Sequence, residues 1–493
     1  MSTLQTFVNG SYVSQSPIAD QEELINWYVE LMESPGASAK AALYGIPGVE
    51  TFATASAVGC RGMFTDDQAG RTFAVMGASL VEIDSLGTVT ARGTVAVDSN
   101  PVTFSTNGVA GGQLLITSGD NAYCYTLGTD TLTLVLTGQA TQGAVLYGYG
   151  LVFDKATGRV RLSDLNDLTT WDPTQYFERS IGTDPWQAMH VTPYGYICLP
   201  GTQTGEFWFN AGASPIPFEP DPSGNFSRGI GATFSIQQAG ASVMWLSRGV
   251  EGDYTVVRAS GFSPERASTH AVELDISDIA DDVGVSDAIG QVYGEHGHLF
   301  YLLTFPTGDR TWAFDAVIAG RANAWAKRGT WIVEDAGYTI WRNLFHTFAF
   351  GKHLVGDPDT AVISELNHPF YTDVEGRVIR RVRRSPAVLD EVRRLIIDKI
   401  ELLMEVGVGL QGSGSGSDPV IALRISRDGG RTWGNERLCK IGKVGEYWRR
   451  VEWRMLGLGR NWAFEFVASD PVPYRLSALY LDVRQTTEGR AAA

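Results

Sequence analysis

Residues 298–305 read His298-Leu299-Phe300-Tyr301-Leu302-Leu303-Thr304-Phe305, and beyond Pro306-Thr307-Gly308-Asp309-Arg310 the chain continues Thr311-Trp312-Ala313-Phe314-Asp315. Two short runs rich in aromatic residues flank a turn that holds Gly and Asp, the pattern of an antiparallel strand pair. The same unit recurs upstream at 72–76 with 79–83, 113–117 with 122–126, 150–154 with 159–163, 194–199 with 206–210 and 242–247 with 254–259, and downstream at 345–350 with 360–364. With Phe73, Leu114, Leu151, Tyr196, Val243, Leu299 and Thr347 as anchors, the steps are 41, 37, 45, 47, 56 and 48 residues. Propeller blades run about 40–50 residues and four to eight of them close a ring. A sandwich turns more often, every 8–12 residues or so. The spacing therefore predicts an all-β fold with a β-propeller of six to eight blades over 51–364. The 56-residue step holds an acidic stretch at 271–290 that reads as a helical insertion.

The texture changes on either side. Runs at 377–382, 395–406, 420–426, 437–441, 448–455, 462–468 and 476–483 are more closely spaced and alternate. They predict a C-terminal β-sandwich-like domain over 365–493, with the Gly/Ser stretch 407–417 as a loop. Residues 1–50 read as an N-terminal arm. A short helix is expected over 22–32, with Leu24, Ile25, Tyr28, Leu31 and Met32 on one side.

Composition agrees with short strands and tight turns. The chain has 493 residues, 44% apolar and 19% charged, with 56 glycines, so wholesale disorder is excluded. Net charge is −16, unevenly spread: 18 Lys+Arg against 38 Asp+Glu over 1–364 gives −20, and 21 against 17 over 365–493 gives +4. The acidic first part should repel DNA rather than grip it. Cys60, Cys124, Cys198 and Cys439 form no CxxC pair. The N-terminus lacks a signal-peptide pattern and no apolar run is long enough for a membrane span, so a soluble protein made in a reducing cytoplasm is expected.

Ser426-Arg427-Asp428-Gly429-Gly430-Arg431-Thr432-Trp433 matches the Asp-box pattern S-x-D-x-G-x-T-W. In this pattern Ser426, Asp428, Gly430 and Trp433 brace a turn, with the Trp packing beneath it, and do no chemistry. Gly407-Val408-Gly409-Leu410-Gln411-Gly412 spells GxGxxG, but Gly/Ser residues and a Pro follow where a dinucleotide site needs a helix. His296 and His298 could share one strand face, with Glu295 adjacent, as a metal pair, but no third ligand is indicated, so a packed or hydrogen-bonded His298 is the better reading. Glu273, Asp275, Asp278, Asp281, Asp282 and Asp287 lack calcium-loop spacing and read as a solvated face. Arg377, Arg380, Arg381, Arg383, Arg384, Arg393 and Arg394 put seven arginines into 18 residues, and the first reading is a salt-bridged interface with an acidic neighbour. No catalytic, cofactor-binding or metal-ligating set is indicated, and an enzyme is not expected.

The stretch from Gly297 to Pro306, with Thr311-Trp312-Ala313-Phe314-Asp315 and Trp325, resembles the packaged-DNA stabilisation proteins of short-tailed bacteriophages, also called tail hub or tail nozzle proteins. Other stretches agree in order: Glu206-Phe207-Trp208-Phe209-Asn210 before Pro215-Ile216-Pro217-Phe218, Gly261-Phe262-Ser263-Pro264 before Ser268-Thr269-His270, Met404-Glu405-Val406-Gly407, and Ile441-Gly442-Lys443-Val444-Gly445-Glu446-Tyr447 before Arg450-Val451-Glu452-Trp453. The resemblance implies a virion structural protein of the phage tail, assembled in the bacterial host cytoplasm. It implies a homo-hexamer beneath the head-to-tail adaptor ring that extends the portal channel, retains packaged DNA and conducts it during ejection. Tail fibres or tailspikes, and a tail needle or plug, are the further partners, and double-stranded DNA passes without specific binding. On this reading Asp278, Asp281 and Asp282 are candidates for the lumen, and Arg380, Arg381, Arg383 and Arg384 for a partner interface. The alternative is a sialidase-like or carbohydrate-degrading propeller of a phage tail.

Overall fold

The computed structural model describes residues 2–4, 7–34, 36–37, 39–179, 182–390 and 393–485; residues 486–493, expected at the end of the sandwich, lie outside them. Seven sets of four antiparallel strands make the blades among the described residues. Six are continuous in sequence, over 60–94, 103–136, 142–178, 190–220, 237–266 and 289–328. The seventh takes three strands from 344–367 and its fourth, Gly48–Thr54, from the N-terminal side. Thr54 pairs with Val362 and Val49 with Leu366. A row of blades has two free edges, and joining the first part of the chain to the last blade removes both. The propeller therefore begins at Gly48 rather than 51, and its last blade ends at Asn367.

The first strand of each blade lines a central cavity of about 770 Å³, to which Gly62, Thr103, Gln142, His190, Gln237, Gln291 and His346 each contribute from a different blade. Six of the sequence anchors sit on second strands, which are buried on both faces; Thr347 is on the first strand of blade seven. The long step between blades five and six is the helix His270–Asp282, which buries Ala271, Val272, Ile276 and Ile279.

The C-terminal part is a sandwich. One sheet orders Trp27–Leu31, Ala41–Gly45, Arg475–Gln485, Leu395–Met404 and Val451–Gly459. The facing strands are Arg381–Arg384, Ala463–Ala468, Val420–Ser426 and Arg437–Lys440. Between them pack Ile397, Ile400, Leu423, Phe464, Phe466 and Leu479, all at most 1% exposed.

The expected helix over 22–32 is absent. Those residues form two strands, Gln21–Ile25 and Trp27–Leu31, broken at Asn26, whose φ is 60°. A helix would bury one stripe, whereas both faces of this segment meet protein. Gln21–Ile25 pairs with Arg381–Arg384 on one side and meets Trp325–Arg328 of blade six on the other. Blade six, this strand, the second sandwich sheet and the short strand Tyr12–Val13 paired with Gln21–Glu22 thus form one ten-stranded sheet. The segment is not a separate arm; it is the seam between propeller and sandwich.

Candidate functional site

The seam is built from residues that the chain supplies from three distant places. Asn26 donates its amide to the carbonyls of Gly329 at 2.9 Å and Arg380 at 2.8 Å, and accepts from the Gly329 N–H at 3.0 Å. Its left-handed backbone suits Asn better than most residues, because the short amide tolerates that conformation.

The arginine run lies on this seam, and its partners belong to the same chain. Arg383 is fully buried, pairs with Glu22 at 2.5 Å and donates to the Phe7 carbonyl at 2.8 Å. Burial raises the Glu22 carboxyl above its usual value despite Arg383, and lowers the guanidinium of Arg383. Arg384 contacts Glu465 at 2.6 Å and Glu23 at 3.0 Å. Burial works to raise Glu23, but the charges of Lys327 and Arg384 outweigh it and leave the carboxyl below its ordinary value. Arg381 is buried against Tyr474, donates to the Ile379 and Ile46 carbonyls, and is pushed by burial down to about 10. Arg380 lies over Trp331 and 3.6 Å from Glu436. Acidic partners for these arginines therefore exist within the chain; Arg381 and Arg383 are buried, while Arg380 and Arg384 keep about a fifth of their side chains exposed. The doublet Glu22-Glu23 facing Arg383-Arg384 was the sequence signal for them.

The Asp-box turn abuts the same seam. Ser426 Oγ donates to Asp428 Oδ1 at 2.7 Å and accepts from the Gly430 N–H at 2.8 Å. Asp428 also accepts from the Arg431 and Thr432 N–H groups and from the Thr432 hydroxyl at 2.6 Å. The Ser426 and Thr432 bonds hold its carboxyl well below the usual range. Gly430 has φ 87°, and a Cβ there would stand 1.6 Å from Gln21 Oε1. Trp433 is half-buried, with the guanidiniums of Arg384 and Arg424 over its ring at 5.0 and 5.8 Å.

The acidic stretch divides. Glu273 pairs with Arg266 at 2.6 Å, Asp275 accepts from Trp312 Nε1 at 2.8 Å, and Asp287 holds the Thr307 N–H at 2.9 Å. Asp278, Asp281 and Asp282 are exposed on the helix, and they are not among the residues lining the propeller's own cavity.

His298 is buried, with Nδ1 2.5 Å from Asp315 Oδ2 and Nε2 2.8 Å from Glu30 Oε2. Burial disfavours its charged form, but the bonds to Asp315 and Glu30 prevail and its pKa rises. His296 instead meets His368, with ring centroids 4.4 Å apart, and His368 lies 3.5 Å from Glu295. His368 leaves blade seven, so sequence spacing held no hint of it. No helix among the described residues is long and apolar enough to cross a membrane.

A family model described as Bacteriophage P22 Gp10, beta-propeller, matches residues 6–370, and one described as Bacteriophage P22 Gp10, beta-sandwich, matches 380–484. No curated protein matches the chain. Among solved structures, virginiamycin B lyase from Staphylococcus aureus is 9% identical with a TM-score of 0.40, covering 65% of this chain and 98% of its own. The N-terminal domain of Nup159 is 9% identical with a TM-score of 0.40, covering 70% of this chain and 98% of its own. Similarity at that level bears on nothing beyond itself. The sialidase-like alternative finds no support in either family model. Matched over both its propeller and its sandwich, the chain belongs to the Bacteriophage P22 Gp10 family, the structural tail-hub proteins that stabilise packaged phage DNA.

Proposed function

We propose that this tail-hub subunit acts as one of six identical copies beneath the head-to-tail adaptor ring, where it lengthens the portal channel, retains the packaged genome and conducts it at ejection. It does so without catalysis or cofactor. Its outer surfaces take tail fibres or tailspikes and a needle or plug, and host-cytoplasmic assembly ends in the virion.

The observation that carries this reading is the ten-stranded sheet running from blade six through Gln21–Ile25 into the sandwich. Two domains joined by backbone hydrogen bonds and by buried pairs such as Arg383–Glu22 behave as one stiff block. A stiff block is what a channel wall under DNA pressure requires. The charge asymmetry adds support. A propeller with about twice as many Asp and Glu as Lys and Arg offers phosphates few contacts to hold them, since each Lys or Arg contact adds salt-dependent retention.

Native mass spectrometry of the purified chain, alone and with the adaptor ring, tests the assembly. A hexamer under either condition is expected. A monomer under both, at the concentrations of tail assembly, would overturn it.

A further inference from the structure

We propose that Glu295, His296 and His368 bind one divalent transition-metal ion of the zinc class, clipping blade six to the chain that leaves blade seven. The ligand-bearing atoms of these three side chains lie within 4.8 Å of one another. Glu295 closes the first strand of blade six, and His296 stands in the tight turn before strand His298–Phe305 with φ 48°. His368 follows the third strand of blade seven, Val362–Asn367. Neighbouring blades thus bring together two imidazoles and a carboxylate separated by about seventy residues.

The chemistry of the set fits this class of ion. Zinc takes His nitrogen and carboxylate oxygen at about 2.0–2.2 Å, so donor atoms in a tetrahedral site lie roughly 3.3 Å apart. His368 Nε2 and Glu295 Oε1 are already at 3.5 Å. His296 is exposed and His368 half-buried, so both rings can turn to close the remaining gap. Glu295 is buried, and its direct contact is with His368. The Arg328 guanidinium faces the rings of Tyr293, Phe300 and Trp341 and acts on the Glu295 carboxylate by charge without a direct bond to it. Hard cations favour all-oxygen shells, whereas two imidazoles with one carboxylate select a borderline metal.

Access is available. His296 and His368 line a cavity of about 260 Å³ together with Tyr28, Glu30, Tyr44 and Arg475, which leaves room for water in the fourth position. The other histidine pair is not equivalent, because His346 Nε2 and His353 Nδ1 already bond each other at 2.9 Å. The inference does not depend on the hexamer or on DNA.

The test uses the full chain, stripped with a chelator, dialysed and titrated with zinc chloride by calorimetry, with Tm followed in parallel. One ion per chain and a higher Tm are expected. His296→Asn keeps a residue that tolerates the turn, and His368→Ala removes the second imidazole. Each should lose the zinc signal and the Tm shift, while His270→Ala, at an exposed position that opens the helix, should keep both. No zinc uptake by the wild type, uptake unchanged in both ligand variants, or loss in His270→Ala overturns the proposal.

Discussion

His298 Nε2 stands 2.8 Å from Glu30 Oε2, and this contact crosses from blade six of the propeller to the first sheet of the sandwich. The opposite ring nitrogen meets Asp315 on the neighbouring strand of the same blade, so one imidazole ties two carboxylates to two domains. Removing it in His298→Ala leaves the buried Asp315 uncompensated, and breaking a buried pair costs about 3–5 kcal/mol. The melting transition should fall accordingly. His298→Asn, which retains one polar contact, should fall less. Equal and negligible shifts for both would show that the seam does not depend on this residue.

The Arg383–Glu22 pair offers a separable measurement. Arg383→Met alone leaves Glu22 buried without its partner and should cost about 3–5 kcal/mol. Arg383→Met with Glu22→Leu removes both charges and should regain most of that loss, since apolar replacement of a buried pair is often nearly neutral. Chemical denaturation of the four proteins of the cycle gives the coupling. Strict additivity would mean that the two side chains do not share their environment.

At the Asp-box turn, Asp428→Ala deletes an acceptor of four hydrogen bonds and should cost about 1–3 kcal/mol. Gly430→Ala should be worse, because it combines φ 87° with a Cβ driven into Gln21. Both losses should appear in thermal unfolding of the pure protein, without any glycoside turnover in either the parent or the variants. An unchanged melting curve for Asp428→Ala would remove the structural reading of the box.

How legible these features were depends on the range over which each is decided. The second strands of the blades, from Phe73 to Leu299, announce themselves because burial on both faces makes them continuous apolar runs. The sandwich strands Val420–Ser426 and Ala463–Ala468 were readable for similar reasons. The segment around Leu24, Ile25 and Tyr28 was not, because apolar residues that dense satisfy a helical stripe and a two-faced strand equally well. The choice is made by Arg381–Arg384, more than 350 residues later, which offers hydrogen-bonding edges and counter-charges to Glu22 and Glu23. The same distance hid the role of the arginines, whose density in sequence looks like a surface. The Glu295–His296–His368 cluster was half visible, since its third member arrives only when blades six and seven stand side by side.

Acid should weaken the propeller through its cavity wall. Burial lowers His190 to about 4, against an ordinary value of 6.5. A His with a depressed folded pKa contributes stability that is present above the unfolded value and is lost as pH falls toward the folded one. Between pH 6.5 and 4 the unfolded chain takes up a proton at this position that the folded chain refuses. His190→Gln should therefore flatten part of the decline in Tm over that interval and change little at pH 8. A parallel pH profile for parent and variant would assign the acid sensitivity elsewhere.

The last expectation concerns DNA passage and rests on the proposed assembly. Asp278, Asp281 and Asp282 are exposed on the helix between blades five and six, while its other carboxylates are tied to Arg266 and Trp312. They are the part of the acidic stretch that can meet something outside the chain. The helix buries Val272, Ile276 and Ile279 on its opposite side, so charge reversal at the three positions should leave the fold intact. If this face borders the conduit, replacing all three with Lys gives each of six subunits three new sites for phosphate. Particles should assemble normally but eject DNA more slowly, and the delay should shrink as salt rises, because screening and counterion competition both oppose phosphate contacts. Ejection followed by dye release at two ionic strengths reads both effects. Wild-type kinetics at each salt would place the helix away from the DNA path, and a delay insensitive to salt would point to altered assembly rather than to phosphate binding.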